Sequence, residues 1–252
     1  MTDSLIKEVF FDWDGTFADT ETISLALTRN VLAEHAMSVL GNGADKELDS
    51  IDMRGKDFGQ IARQFQDAVN AGLPENRQIA IDIEDLRHNK LRPAARIALL
   101  DAKLAPGVVE ATGELQDEMK LGLAVVSNSP RVRIQPLLDK HGLDGRIPKG
   151  RLFSAFEDTA GKLKEDPAIY LLAAKTLGIT PEEAAAVEDS VTGMRAAKNA
   201  GIGLLVGYIG LTDAENVERI RQALLREGAH VIIDDMKKLP SVIQARNQRN
   251  PS

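Results

Sequence analysis

The stretch Val9-Phe10-Phe11-Asp12-Trp13-Asp14-Gly15-Thr16 decides how the rest of the chain is read. An apolar run ends in two carboxylates two positions apart, and a glycine follows at once. A strand that ends in this way puts acids at its carboxyl end, the end at which open α/β sheets bind ligands. Gly15 lets the chain turn there, which gives Asp12 and Asp14 different directions instead of one shared face. Taken alone, an Asp-rich turn closing a strand accounts for these residues equally well.

The pattern recurs downstream. Leu123-Ala124-Val125-Val126 runs into Ser127-Asn128-Ser129-Pro130, where Pro130 is placed to open a helix whose free N–H groups would face an anion. An ordinary helix cap is the alternative for that segment. Ala184-Ala185-Ala186-Val187 ends in Glu188-Asp189-Ser190, with Gly193 close behind. Acidic oxygens from separate strand ends suit a hard cation such as Mg²⁺, which takes oxygen ligands and keeps waters and a substrate phosphate in its shell.

Strands are expected near Lys7–Asp12, Leu121–Ser127, Ala184–Glu188, Gly203–Gly207 and His230–Ile233, with helical stretches between them. This alternation predicts an α/β domain with a mainly parallel sheet covered on both faces. Residues 22–104 break it. Helical periodicity there, including Phe58–Ala71 and Asn76–Asp101, is punctuated by Gly41, Gly43, Gly72 and Pro74. The region reads as an inserted helical domain, and Ala105-Pro106-Gly107 marks the return to a core made of residues 1–21 and 105–252.

With 252 residues, 43% of them hydrophobic, the chain can bury a core without covalent staples. It has no cysteine, which excludes disulfides, thiolate metal sites and cysteine nucleophiles. Met1–Glu8 is followed by no apolar segment of signal-peptide length, so neither export nor membrane insertion is expected, and a cytoplasmic location is. The formal net charge of −7 repels nucleic acid and anionic membrane surfaces. A site for an anionic substrate must therefore supply its own cations, a lysine and a divalent metal. The histidines His35, His88, His141 and His230 form no metal-ligand spacing.

The chain resembles the haloacid dehalogenase superfamily, in the branch with a helical cap inserted after the first strand and similar to beta-phosphoglucomutase and phosphoglycolate phosphatase-like sugar phosphatases. Asp12-Trp13-Asp14-Gly15-Thr16 matches the first motif, Ser127 the second, Lys164 the third and Glu188-Asp189 the fourth. Gly161-Lys162-Leu163-Lys164 offers two lysines. Lys164 keeps the lysine-to-proline-to-aromatic spacing through Pro167 and Tyr170, whereas Lys162 reads as a solvated lysine; Glu165 stands where the family usually has proline. The resemblance covers nearly the whole core and implies a Rossmann-like sheet with a helical cap, matched only in position and helical character.

It further implies that Asp12 is the nucleophile and Asp14 the general acid and base. Mg²⁺ would be held by the Asp12 carboxylate, the Asp14 backbone carbonyl and Asp189, with Glu188 in or beside the coordination sphere. Ser127, Lys164 and backbone N–H groups near Trp13, Asp14 and Asn128 would bind phosphoryl oxygens. Trp13 reads mainly as packing beside the nucleophile, and Gly15 and Thr16 as structural. Met53-Arg54-Gly55-Lys56 falls where capped relatives carry a loop that closes over the site, which makes Arg54, Gly55 and Lys56 candidate specificity residues. Ser24 is another, standing where the beta-phosphoglucomutase branch usually has histidine. The implied activity is hydrolysis of a small phosphomonoester, a sugar or polyol phosphate, through an aspartyl phosphate. The alternatives are a sugar phosphomutase and, from another class, an inactive metabolite-binding protein. Oligomeric state, monomer or homodimer, stays open.

Overall fold

The computed structural model describes residues 4–53, 56, 58–160, 162 and 164–249. They form two compact units, Met1–Asp19 with Ala102–Ser252, and Thr20–Asp101.

The first unit is built on β1 (Glu8–Phe11), β2 (Ala18–Asp19), β3 (Lys103–Leu104), β4 (Gly122–Ser127), β5 (Leu152–Ser154), β6 (Ala184–Glu188), β7 (Leu204–Tyr208) and β8 (Val231–Ile233). Six of these make one sheet in the order β5-β4-β1-β6-β7-β8, and every pairing in it is parallel. β1, β6 and β7 are buried along their whole length, as strands covered on both faces should be. Chain order runs from β1 through β4 to β5 on one side and continues with β6, β7 and β8 on the other. β1 thus lies at the switch point where such sheets open a crevice at their carboxyl ends. Register does the rest: Phe11 pairs with Val125 on one side and Val187 on the other, so Asp12 comes level with Val126 and Glu188.

Small and large side chains alternate in this core. Ala184, Ala186, Ala196 and Ala197 share a buried cluster with Phe10, Tyr170 and Met194. Burying a side chain such as that of Phe10, which has no exposed surface, stabilises by about 2–3 kcal/mol.

The expected strands are found within a residue at either end. β5 had no counterpart in the sequence reading, because three residues are too few to show a period. β2 and β3 pair antiparallel, Ala18 with Leu104 and Asp19 with Lys103, and belong to the same unit as the large sheet.

The second unit is helical. Its helix Phe58–Ala71 buries Phe58, Ile61, Ala62, Phe65 and Val69, one face at helical spacing, in a cluster with Leu32, Ala36, Leu48, Ile79 and Leu86. The helix expected from Asn76 starts later. Glu75–Arg77 is a single 3₁₀ turn, Gln78 is extended, and Asp82 caps the next helix by accepting a hydrogen bond from the Asp85 N–H at 3.0 Å. Side chains satisfy the extended backbone: Asn70 bonds both Ile79 N–H, at 2.8 Å, and its carbonyl, at 2.9 Å, while Gln66 accepts from Ile81 N–H at 2.7 Å. Helical turns then run from Ile83 to Asp101, widening to a π turn over Arg87–Leu91 just before Pro93, which has no N–H to offer the preceding turn. No helix among the described residues is long and apolar enough to cross a membrane.

Candidate active site

Asp12 follows β1 directly, and its N–H donates to the Val187 carbonyl at 3.0 Å. The chain then turns tightly: the Trp13 carbonyl accepts from Phe17 and Ala18 N–H groups, both at 3.0 Å, and Gly15 N–H returns to Ala18 O at 3.0 Å. Gly15 has φ +81°, and a Cβ placed on it would lie 2.3 Å from Asp189 Oδ2. We expect Gly15→Ala to lower stability by about 2 kcal/mol through left-handed strain and this clash. The thermal midpoint should fall by about 4–8 °C; an unchanged midpoint in a melt against the wild type would contradict the close approach.

Thr16 reaches further than the local turn. Its Oγ1 donates to Asp189 Oδ1 at 3.1 Å, fixing the loop after β6 from the loop after β1. Trp13 is buried at 1% exposure and stacks on Phe17, centroids 5.3 Å apart and planes 14° apart. Packing accounts for its side chain.

The second strand end supplies hydroxyl and amide groups. Ser127 Oγ accepts from Ser129 N–H at 3.0 Å, which leaves the Ser127 hydroxyl proton to donate. Asn128 Oδ1 accepts from Lys164 N–H at 2.7 Å and so anchors the segment carrying the lysine. Ser129 Oγ donates to Asp14 Oδ2 at 2.5 Å, and Arg133 Nη2 lies 3.5 Å from Asp14 Oδ1.

Lys164 is buried at 3% exposure. Its Nζ donates to Asp12 Oδ1 at 2.6 Å and to the Val126 carbonyl at 2.8 Å, and forms an ion pair with Glu188. Glu188, wholly buried at the end of β6, also accepts from the Tyr170 hydroxyl and, at 3.4 Å, from Ser190 Oγ. Lys162 is exposed and pairs with Asp166 at 3.4 Å, as a solvated lysine does.

Burial raises the pKa of Asp12 to about 7, against the pull of Lys164 and with the help of Glu188 and Asp14. Burial likewise lifts Asp189 well above the usual carboxylate range, with Asp12 and Glu188 adding to it. For Lys164, burial alone would favour the neutral amine, but Asp12 and Glu188 outweigh it and raise the pKa. One ammonium therefore faces the buried acids Asp12 and Glu188 and the half-buried Asp189. Ligand oxygens of Asp12, Glu188 and Asp189 lie within 4.8 Å of one another. An all-oxygen donor set with surplus negative charge fits a hard divalent cation. The Asp14 carboxylate is not in that group; it turns to Ser129 and Arg133.

Residues 6–201 match the haloacid dehalogenase-like hydrolase family. The chain belongs to this family. YhcW of Bacillus subtilis is 31% identical over 80% of this hydrolase and 83% of its own length. The phosphorylated carbohydrates phosphatase of Thermotoga maritima is 27% identical over 90% and 94%. Among solved structures, a HAD family hydrolase from Deinococcus radiodurans, crystallised with bound phosphate and sodium, superposes with a TM-score of 0.68 at 25% identity, covering 97% of each chain. The chain is thus an enzyme of the hydrolase class, of the phosphatase kind.

Of the residues singled out from the sequence of this haloacid dehalogenase-like hydrolase, Asp12, Lys164, Glu188 and Asp189 converge, and Asp14, Ser127 and Asn128 adjoin them. In the helical unit, Ser24 sits in the first turn of the helix Glu21–Leu40, its N–H bonded to Thr20 O at 3.0 Å. Lys56 Nζ donates to Asp52 O at 2.5 Å and to Gln64 Oε1 at 2.9 Å, partners inside that unit. Arg54 and Gly55 lie outside the described residues. Sequence reasoning missed Ser129, Arg133 and the hydroxyl of Tyr170. A signal existed for the first two, since Ser129 directly precedes and Arg133 shortly follows Pro130, beside a strand end already singled out.

Proposed function

We propose that this hydrolase is a Mg²⁺-dependent phosphatase acting on a small phosphorylated metabolite, a sugar or polyol phosphate, through an aspartyl phosphate on Asp12. The observation that carries the reading is the convergence of Asp12, Glu188 and Asp189, at the carboxyl ends of adjacent strands, on the buried Lys164 ammonium.

Asp12 attacks phosphorus, forming the Oδ–P bond as the bond to the leaving oxygen breaks, and Asp14 gives that oxygen its proton. Water then attacks phosphorus, the Asp12 Oδ–P bond breaks, and Asp14 takes the proton from the water. Inorganic phosphate leaves, Asp12 is again a carboxylate and Asp14 again carries its proton. Ser127 and the N–H groups of Trp13, Asp14 and Asn128 receive phosphoryl oxygens, and Lys164 holds Asp12 in place. Asp12, Glu188 and Asp189 would hold the metal, to which the resemblance adds the Asp14 carbonyl. When bound, it supplies positive charge that lowers the repulsion between carboxylate and phosphate.

The test is phosphate release from a panel of sugar phosphates, phosphoglycolate, polyol phosphates and nucleotides. Release should occur with a sugar or polyol phosphate in Mg²⁺, vanish in EDTA and return when Mg²⁺ is restored. No release across the panel would defeat the reading. Isomer formation with a bisphosphate activator, in place of phosphate release, would mark a phosphomutase; Ser24 in place of the histidine usual in that branch weighs against it.

A further inference from the structure

The helix Arg131–Lys140, which follows β4, carries two arginines whose surroundings differ in kind. Arg131 spends its guanidinium on structure. Its Nε donates to Leu152 O at 2.8 Å, Nη1 to Glu157 Oε2 at 2.5 Å and Nη2 to Asp158 Oδ2 at 2.6 Å, tying the helix to β5 and the turn after it. Arg133 makes no such network. Its Nη2 faces Asp14 Oδ1 at 3.5 Å, while its Nε is buried and finds no hydrogen-bond partner among the described residues. An arginine selected for stability would not leave a buried donor unmatched, and such orphans call for an explanation in the chemistry around them.

The explanation lies in what Arg133 shares with Ser129. Ser129 lies in the turn just before the helix and Arg133 in the helix's first turn, and each meets a different oxygen of the same carboxylate. Ser129 takes Asp14 Oδ2 at 2.5 Å and Arg133 lies against Oδ1. A carboxylate held by a hydrogen bond at one oxygen and an ion pair at the other is restricted in its side-chain rotation, and its direction is set by the segment that runs from Ser127 into the helix. We propose that Arg133 is a positioning residue: with Ser129 it clasps the Asp14 carboxylate and aims it for proton delivery to the leaving oxygen. This rests on the assignment of Asp14 as general acid in the proposed phosphatase reaction.

The consequence is selective. A leaving group that departs unprotonated needs no aimed acid, whereas an alkoxide does. Two aromatic phosphomonoesters of similar size and equal charge separate these cases: 4-nitrophenyl phosphate, whose phenolate leaves unaided, and benzyl phosphate, whose alkoxide requires a proton. kcat/KM reports the steps through formation of the aspartyl phosphate, so slow breakdown of that intermediate does not mask the difference. Arg133→Met should lower kcat/KM for benzyl phosphate about tenfold and leave that for 4-nitrophenyl phosphate within about twofold. Arg133→Lys, which keeps a cation within reach, should recover most of the loss. Thermal midpoints accompany each variant, and should the methionine variant unfold, Ser129→Ala, which opens the other half of the clasp, carries the same comparison with the same selective loss expected.

Equal losses on both probes, or no loss on either, would overturn the clasp while leaving the phosphatase reading intact. Wild-type protein that releases phosphate neither from the probes nor from the metabolite panel would overturn both. Probe turnover that survives Asp12→Asn would remove the reaction on which the clasp rests.

Discussion

Asp12→Asn is expected to reduce phosphate release by about a thousandfold or more while leaving the fold standing. The substitution removes the negative charge and the nucleophilic oxygen but little else. The asparagine side-chain oxygen can still accept the Lys164 Nζ–H that now goes to Asp12 Oδ1 at 2.6 Å, and Asp12 N–H still meets Val187 O. Charge balance improves, because the buried group loses one of the acids that crowd Glu188 and Asp189, and Lys164 keeps Glu188 as its counter-ion. A melt at or above the wild-type midpoint together with lost turnover is therefore the predicted pair of results. Loss of turnover with loss of fold would show that Asp12 holds the site together, and full turnover would show that another group attacks phosphorus.

How much of this was visible in the sequence depends on how far apart the partners lie. β6 was legible residue by residue, Ala184–Glu188, because a fully buried parallel strand is a continuous apolar run and this one ends in acids. β5 was not, since Leu152–Ser154 is too short for any pattern and owes its existence to pairing with β4. The delayed helix start was hidden for a related reason: Asn70 and Gln66, on another helix, satisfy the backbone of Ile79 and Ile81 better than a helical turn would.

The site divides along the same line. Residue types at strand ends stand out, so Asp12, Ser127, Glu188 and Asp189 could be singled out from their recurrence, and the family resemblance gave them roles. Partners cannot. Thr16 meets Asp189 across 173 positions and Ser129 meets Asp14 across 115. Only the parallel register, which sets Phe11 beside both Val125 and Val187, determines that those loops face one another. Thr16 accordingly read as a local turn residue when it is the support of an acid on another strand. Tyr170 was recognised for its aromatic spacing, yet its hydroxyl, bonded to Glu188, ties the third motif to the fourth.

Lys164→Ala should cost both turnover and stability, and Mg²⁺ separates the two effects. The Lys164 ammonium has three protons and meets three acceptors, Asp12 Oδ1, the Val126 carbonyl and Glu188, so it is a fixed charge and not a mobile side chain. Without it, Asp12 and Glu188 are left buried with no cation from the protein between them, and breaking a buried pair from one side costs about 3–5 kcal/mol. Attack suffers as well. A carboxylate approaching a phosphate dianion to about 4 Å meets roughly 8 kcal/mol of repulsion at an effective dielectric of about 20, and removing one of two compensating cations restores a large part of it. A loss on the order of a thousandfold in kcat is expected. Because the three acids then carry a larger uncompensated charge, the divalent ion should bind the variant more tightly and raise its midpoint more than it raises that of the wild type. Melts with and without Mg²⁺ measure that difference independently of activity. A variant that keeps its turnover, or whose midpoint responds to Mg²⁺ less than the wild type does, would mean that Lys164 and the metal do not share the charge of Asp12 and Glu188.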